Sequence, residues 1–177
     1  HGRDYKRPED FAPGERVLVV GAGESAADIV SECVAAGLNV DWSTRRGQWF
    51  ADRNIGPHAA DHFTAIGVRA LFGLVGNVEY MIHRFIIATF INLAWGKGGH
   101  GVRGWWPEVP YLHQFLNKSR DGILEVYRGR VKAHSGVEQV DGKAVRFRGE
   151  SEDFEYDRII LATGYVPNWP FLEQQPK

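Results

Sequence analysis

Val17-Leu-Val-Val-Gly-Ala-Gly-Glu-Ser-Ala-Ala-Asp-Ile-Val30, with Asp41-Trp-Ser-Thr-Arg-Arg46 after it, decides the fold. Val17 to Val20 is a short aliphatic run, the composition of a strand buried on both faces of a parallel sheet. The run breaks at Gly21-Ala22-Gly23. A helical pattern then begins, with Ile29, Val30, Cys33 and Val34 on one side and Asp28, Ser31 and Glu32 on the other. Leu38 to Thr44 reads as a second strand and completes a β-α-β unit. Gly21, Gly23 and Ala26 stand in the G-x-G-x-x-G/A spacing, and each has its own physical reason. Gly21 permits the tight turn, Gly23 lets backbone approach a pyrophosphate, and Ala26 lets the helix pack close to the strand. The pyrophosphate would rest on unpaired N–H groups at the positive end of the helix. A dinucleotide site is expected; the bland alternative is a chance glycine turn between a strand and a helix.

The end of the second strand bears on which dinucleotide. Sites for NAD, or for the ADP part of FAD, carry a carboxylate about 20 residues downstream for the ribose 2′-OH. Here the tip is Ser43-Thr44-Arg45-Arg46, two hydroxyls and two guanidiniums. A 2′-phosphate favours charge-assisted donors, and arginine offers them in a planar fork. NADPH is therefore expected. Asp41 falls near the spacing for NAD, although inside the strand, and a solvated arginine pair on a turn is the other alternative.

The chain has 177 residues, 44% hydrophobic and 24% charged, with a net charge of −1. That suits one globular domain with a real core, or one and a fraction. The balanced charge implies no general affinity for nucleic acid. With Cys33 alone there is no internal disulfide and no C-x-x-C pair; on the apolar side of the helix it reads as a buried, inert thiol. No signal peptide is visible, and a cytoplasmic place, at most peripheral to a membrane, is expected. A start at His1 rather than Met raises the expectation of a piece of a longer protein.

Residues 1–15, with Pro8 and Pro13, read as an incoming linker and Gly47 to Pro57 as a loop. From Ala59 to Trp95 the pattern turns helical, and Gly96 to Pro110 is a glycine- and tryptophan-rich loop. Together, residues 51–110 look like a helical and loop insertion. Phe85 to Trp95 is too short to span a bilayer, so a core helix or a subunit contact is expected there. Residues 63–95 are expected to bury their apolar face against a flavin-binding half outside this chain or against a second copy, as a homodimer contact. Tyr111 to Ser119 is expected as a short helix. Ile123 to Tyr127 reads as a third parallel strand. Val131–His134, Val137–Val140 and Ala144–Phe147 fit a β-meander, with Asp141-Gly142 as a hairpin turn. Arg158 to Ala162 is the last buried strand, and residues 166–177 leave as an outgoing linker. The expected fold class is α/β, a Rossmann-type parallel sheet with a β-meander and a helical insertion.

Four segments together resemble the NADPH-binding domain of flavin-containing monooxygenases. His1-Gly-Arg-Asp-Tyr5 is similar to the second half of the family motif F-x-G-x-x-x-H-x-x-x-Y. Gly21, Gly23, Ser25 and Ala26 match its second glycine motif, G-x-G-x-S-G/A. Ser43-Thr44-Arg45-Arg46-Gly47 is similar to the segment that holds the NADPH 2′-phosphate. Ala162-Thr163-Gly164-Tyr165, followed by Pro170-Phe171-Leu172, looks like the segment that crosses back to the flavin domain. Glu24 departs from the Asn usual in animal members, which weakens a close substrate analogy more than it weakens cofactor binding.

The resemblance implies a parent enzyme in which NADPH reduces FAD, and the reduced flavin activates O2 to oxygenate a soft nitrogen or sulfur centre or a ketone. The cofactor carries that chemistry. It implies a cofactor-binding set of Gly21, Gly23, Glu24, Ser25 and Ala26 at the pyrophosphate, Ser43, Thr44, Arg45 and Arg46 at the 2′-phosphate, and Thr163, Gly164 and Tyr165 nearby. No catalytic residue is assigned. The family's first glycine fingerprint, which binds FAD, has no counterpart here, since Gly96-Lys-Gly-Gly99 follows no predicted strand. Residues 1–177 are thus expected as a single NADPH-binding domain whose flavin-binding half belongs to the parent protein, without turnover alone.

Other chemistries are set aside or kept open. His58 and His62 stand at metal-ligand spacing, but a zinc site needs further ligands and no H-E-x-x-H is present, so no metal is expected. No tyrosine has lysine four residues later, against a short-chain dehydrogenase. A single cysteine excludes the dithiol of a disulfide oxidoreductase. A non-catalytic nucleotide-binding or dimerisation module remains the alternative.

Overall fold

The computed structural model describes residues 1–48, 50, 54–55, 58–59, 105 and 117–165. Strand β1 (Arg16–Val20) leads through the glycine turn into helix α1 (Glu24–Ala35) and strand β2 (Asn39–Ser43). Two short antiparallel strands follow, β3 (Asn54–Ile55) within the expected loop and β4 (His58–Ala59) where the helical pattern was expected to begin. Helix α2 (Arg120–Tyr127) precedes β5 (Val131–His134), β6 (Val137–Asp141), β7 (Ala144–Phe147), β8 (Asp153–Glu155) and β9 (Arg158–Leu161). Strands β5, β2, β1 and β9, in that order, form a parallel sheet, and β6, β7 and β8 form an antiparallel meander. This is the α/β, Rossmann-like arrangement that the glycine turn predicts.

The unbroken apolar run of β1 has a simple cause. Val17 and Val19 pack in one cluster with Ala26, Ala27, Val30 and Cys33 of α1, whereas Leu18 packs on the opposite face with Val145, Phe147 and Tyr156 of the meander region. A strand covered on both faces has no reason to alternate. The amino-terminal residues lie against α1: Tyr5 and Phe11 pack on the first cluster, and the Tyr5 hydroxyl donates to Glu32 Oε2 at 3.0 Å.

Two expected elements are corrected. Ile123 to Tyr127, read as the third parallel strand, belongs to α2, and Val131–His134, assigned to the meander, is the third parallel strand, pairing with β2. The meander instead gains β8. A short apolar run satisfies both periods, so its own pattern cannot choose. Packing chooses: a Cβ on Gly122 would lie 2.6 Å from Ala27 O, so this glycine lets α2 lie directly on α1. Ile123 is then fully buried, with Val126 and Tyr127 packed against the same cluster at helical spacing. β9, expected to be buried, has Leu161 43% exposed. Asp141 does pair with Ala144 across the hairpin turn.

Phe50 pairs in parallel with Asn117, so the chain before residue 51 and the chain after residue 116 meet at neighbouring points. Trp105 is buried beside Trp42 and Phe50, with ring centroids 4.9 and 6.4 Å away. The remaining expectations for residues 60–104 and 106–116, including the 63–95 homodimer surface, and for 166–177 lie outside the described residues. Of the helix expected at 111–119, residues 117–119 are described and are not helical. No helix among the described residues is long and apolar enough to cross a membrane.

Candidate functional site

All four strands of the sheet run the same way, so their carboxyl ends share one edge. From β1 the chain proceeds to β2 and β5 on one side, while β9 lies on the other. Ligands of open α/β sheets bind where the order reverses in this way. A cleft of about 650 Å³ opens there, walled by the glycine turn, the end of β2 and the segment after β9.

The first wall is set by Gly21 at φ +140°, whose N–H donates to Ser43 O at 3.0 Å. A Cβ on Gly21 would come within 2.2 Å of Ala162 O, whereas one on Gly23 would meet nothing within 4 Å. Gly23 begins α1 without a side-chain cap, and Ser25 lines the cleft beside it. Ala26 is fully buried against the sheet, outside the cleft wall. Glu24 is also outside it: its Oε1 accepts the Lys118 N–H at 3.2 Å.

The second wall is the tip of β2. Ser43 donates to Ser135 O at 2.6 Å, and the Thr44 N–H donates to His134 O at 3.2 Å. Thr44 is buried behind the wall, with a hydroxyl that has no partner among the described residues. Arg45 and Arg46 are exposed on the wall, and neither has a carboxylate partner among the described residues. The third wall holds Ala162, Thr163, Gly164 and Tyr165. His1 touches this segment, its Nε2 lying 3.2 Å from Gly164 O and its ring 5.2 Å from that of Tyr165.

Asp41 has a different occupation from the one that an NAD site would require. Its Oδ2 accepts from Tyr156 at 2.7 Å, meets His134 Nε2 at 3.3 Å and lies 3.7 Å from Arg16. His134 is buried, reaches Glu150 through Nδ1 at 2.9 Å and stacks on Phe147. Asp41 is therefore held beneath the meander and does not line the cleft. Burial opposes its ionisation, but the bonds from His134 and Tyr156 and the nearby His134 and Arg16 charges outweigh it, so the carboxyl sits below its ordinary value. A lowered folded pKa means that the contribution to stability is full above the unfolded value and is lost as pH falls through the folded one. Asp41→Asn is expected to cost about 2 kcal/mol at neutral pH and to flatten the acid limb of stability against pH. Urea unfolding across the acid range checks this; an unchanged acid limb would contradict it.

Several residues at the site escaped the sequence reading. Trp42 donates from its indole to Gly21 O at 2.6 Å. Asn117 donates to Ala22 O at 3.0 Å, and Ser119 donates to Asp28 at 2.6 Å. The only local signal was Ser119 ahead of α2, a residue type suited to a helix start. Among the described residues no group of three or more His, Cys, Asp or Glu is placed to hold a metal, and His62 lies outside them. Cys33 is buried, and that burial pushes its thiol pKa up despite its contact with the Tyr5 hydroxyl at 3.8 Å.

The family model described as flavin-binding monooxygenase-like matches residues 1–176. Flavin-containing monooxygenase 5 of Homo sapiens is 30% identical over 179 residues, covering 100% of this chain and 32% of that protein. The same protein of Cavia porcellus is 29% identical over 177 residues, with the same shares. The 4-hydroxybenzoate brominase (decarboxylating) of Marinomonas mediterranea is 29% identical over 180 residues, covering 99% of this chain and 34% of its own. Among solved structures, OTEMO in complex with FAD and NADP superposes with a TM-score of 0.64 at 13% identity, over 87% of this chain and 38% of that one. That likeness is one of fold. The chain spans about a third of the length of the curated relatives it matches. With the family model matched over nearly every residue, this chain belongs to the flavin-binding monooxygenase-like family.

Proposed function

We propose that residues 1–177 are the NADPH-binding domain of a flavin-dependent monooxygenase, which uses NADPH, FAD and O2 to oxygenate a soft nitrogen or sulfur nucleophile or a ketone. The observation that carries this reading is the pair of guanidiniums of Arg45 and Arg46, free of carboxylates among the described residues, on the same cleft as the glycine turn. The donor set suits a 2′-phosphorylated dinucleotide: backbone N–H groups for a pyrophosphate and arginine forks for a phosphate monoester. Asp41, engaged beneath the meander, offers no carboxylate for a free ribose 2′-OH.

In this reading Gly21, Gly23 and Ser25 shape the pyrophosphate seat, Ser43, Arg45 and Arg46 take the 2′-phosphate side, and Thr163, Gly164 and Tyr165 line the remaining wall. Ala26 acts indirectly by letting α1 approach the sheet. Glu24 and Thr44 act indirectly as well, the first by holding residue 118 and the second by its backbone bond to β5. When bound, NADPH supplies a hydride, and FAD, held mostly by a flavin-binding domain of the parent protein, supplies the oxygen chemistry. This chain's residues orient the donor; no residue here is assigned a proton-transfer role.

Titration of the 177-residue protein with NADPH and NADH, after recording its absorbance, tests the proposal. Saturable NADPH binding, at least tenfold tighter than NADH, with no flavin band is the expected result. Equal affinities would remove the 2′-phosphate assignment. Absence of both would overturn the nucleotide site. In the full-length parent, nucleotide binding without flavin absorbance would favour the non-catalytic module instead.

A further inference from the structure

The glycine turn carries two peptide carbonyls, and each is tied down by a side chain from a different part of the chain. The Gly21 carbonyl accepts the Trp42 indole N–H at 2.6 Å, from β2 within the core. The Ala22 carbonyl accepts the Asn117 amide at 3.0 Å, from the point where the chain returns beside Phe50. Both donors are fully buried. Residues 117–119 are themselves strapped to α1. Glu24 Oε1 receives the Lys118 N–H, Ser119 Oγ reaches Asp28, and Asn117 Oδ1 accepts the Ser119 N–H at 2.8 Å.

In a trans peptide the C=O and the following N–H point in opposite directions, and no cis peptide is present among the described residues. Drawing the Gly21 carbonyl towards Trp42 therefore turns the Ala22 N–H away from the core. Drawing the Ala22 carbonyl towards Asn117 does the same for the Gly23 N–H. Neither N–H has an acceptor among the described residues, and both Ala22 and Gly23 line the cleft. A turn of this kind could otherwise rotate its peptide planes, because Gly21 and Gly23 have wide backbone freedom.

We infer that Asn117 and Trp42 are positioning residues that lock the Ala22 and Gly23 N–H groups towards the dinucleotide pyrophosphate. The inference rests on the nucleotide reading above and deepens it. It also joins the excursion between Phe50 and Asn117 to the cofactor seat, since its return residue supplies one of the two locks. The lock acts on the part common to NADPH and NADH, whereas Arg45 and Arg46 act on the 2′-phosphate alone.

The test uses Asn117→Leu, which removes the donor while keeping the branched shape of the side chain, and Trp42→Phe, which removes the other donor from an independent element. Each is titrated with NADPH, NADH and adenosine 2′-monophosphate at a temperature where circular dichroism shows a folded protein. Expected is a loss of about tenfold for both dinucleotides, with their ratio unchanged and the monophosphate, which has no pyrophosphate, bound as before. A lowered unfolding midpoint with unchanged nucleotide affinities would make the role structural and overturn the inference. A loss equal for all three ligands would overturn it too. Normal binding by the wild type with unaffected variants defeats this inference alone, and failure of the wild type to bind any nucleotide defeats the reading beneath it. Should one variant not fold, the other decides.

Discussion

Gly21→Ala is expected to destabilise the protein by about 4 kcal/mol, enough to leave a domain of this size largely unfolded in mild denaturant. Two costs add. An alanine at φ +140° is strained wherever it stands, and here its Cβ would lie 2.2 Å from Ala162 O. Neither neighbour can yield cheaply. Ala162 is held to β1 by its own N–H, which donates to Val20 O at 2.8 Å, and Gly21 is held to β2 through Ser43 O. The collision is thus backbone against backbone, between the glycine turn and the Ala-Thr-Gly-Tyr segment. Gly23→Ala is the natural contrast, with an ordinary φ of −81° and open space where its Cβ would go. It should change stability by less than about 1 kcal/mol while narrowing the room for a pyrophosphate. Urea unfolding of both variants gives the comparison. Similar midpoints for the two would show that the turn tolerates a side chain at either position.

Replacing Arg45 and Arg46 together by alanine is expected to weaken NADPH binding by about a hundredfold and to leave NADH binding within about twofold. In the proposed site, loss of both forks removes charge-assisted donors that only a 2′-phosphate would engage. Both side chains are exposed on the cleft wall, so the fold should not suffer. The selectivity of the loss is the informative part. A parallel fall for both nucleotides would place the arginines near the pyrophosphate or assign them a structural role. An unchanged NADPH affinity would mean that the 2′-phosphate is read elsewhere. Raised salt should reproduce part of the NADPH loss in the wild type and little of it in the double variant, because these charges face solvent.

The segments that could be read in advance are those whose structure is decided within a few residues. Val17 to Val20, the glycine turn and the first helix follow from an apolar run, two glycines and an alanine at fixed offsets. The chemistry at the tip of β2 follows from Ser43-Thr44-Arg45-Arg46 in the same way, and the meander hairpin from Asp141-Gly142. Arg45 and Arg46 could be proposed because exposed charge at the end of a strand needs no knowledge of what packs behind it. Asp41 could not be excluded on the same terms. Its partners, Tyr156 and His134, are distant in the chain and come together only when the meander covers the sheet.

What the sequence by itself determined is the β-α-β unit with its glycine turn and the residues at the tip of β2, because propensity, turn geometry and charge act over short range. Only the tertiary structure decided that Ile123 to Tyr127 is helical, that Val131 to His134 joins the parallel sheet, and that Asn117 reaches back to the Ala22 carbonyl. Each outcome rests on a contact between remote residues, Gly122 on Ala27, β5 beside β2, an amide on a turn. Local preference is weak or divided at those positions, so the free energy of close packing and of satisfying buried polar groups settles them.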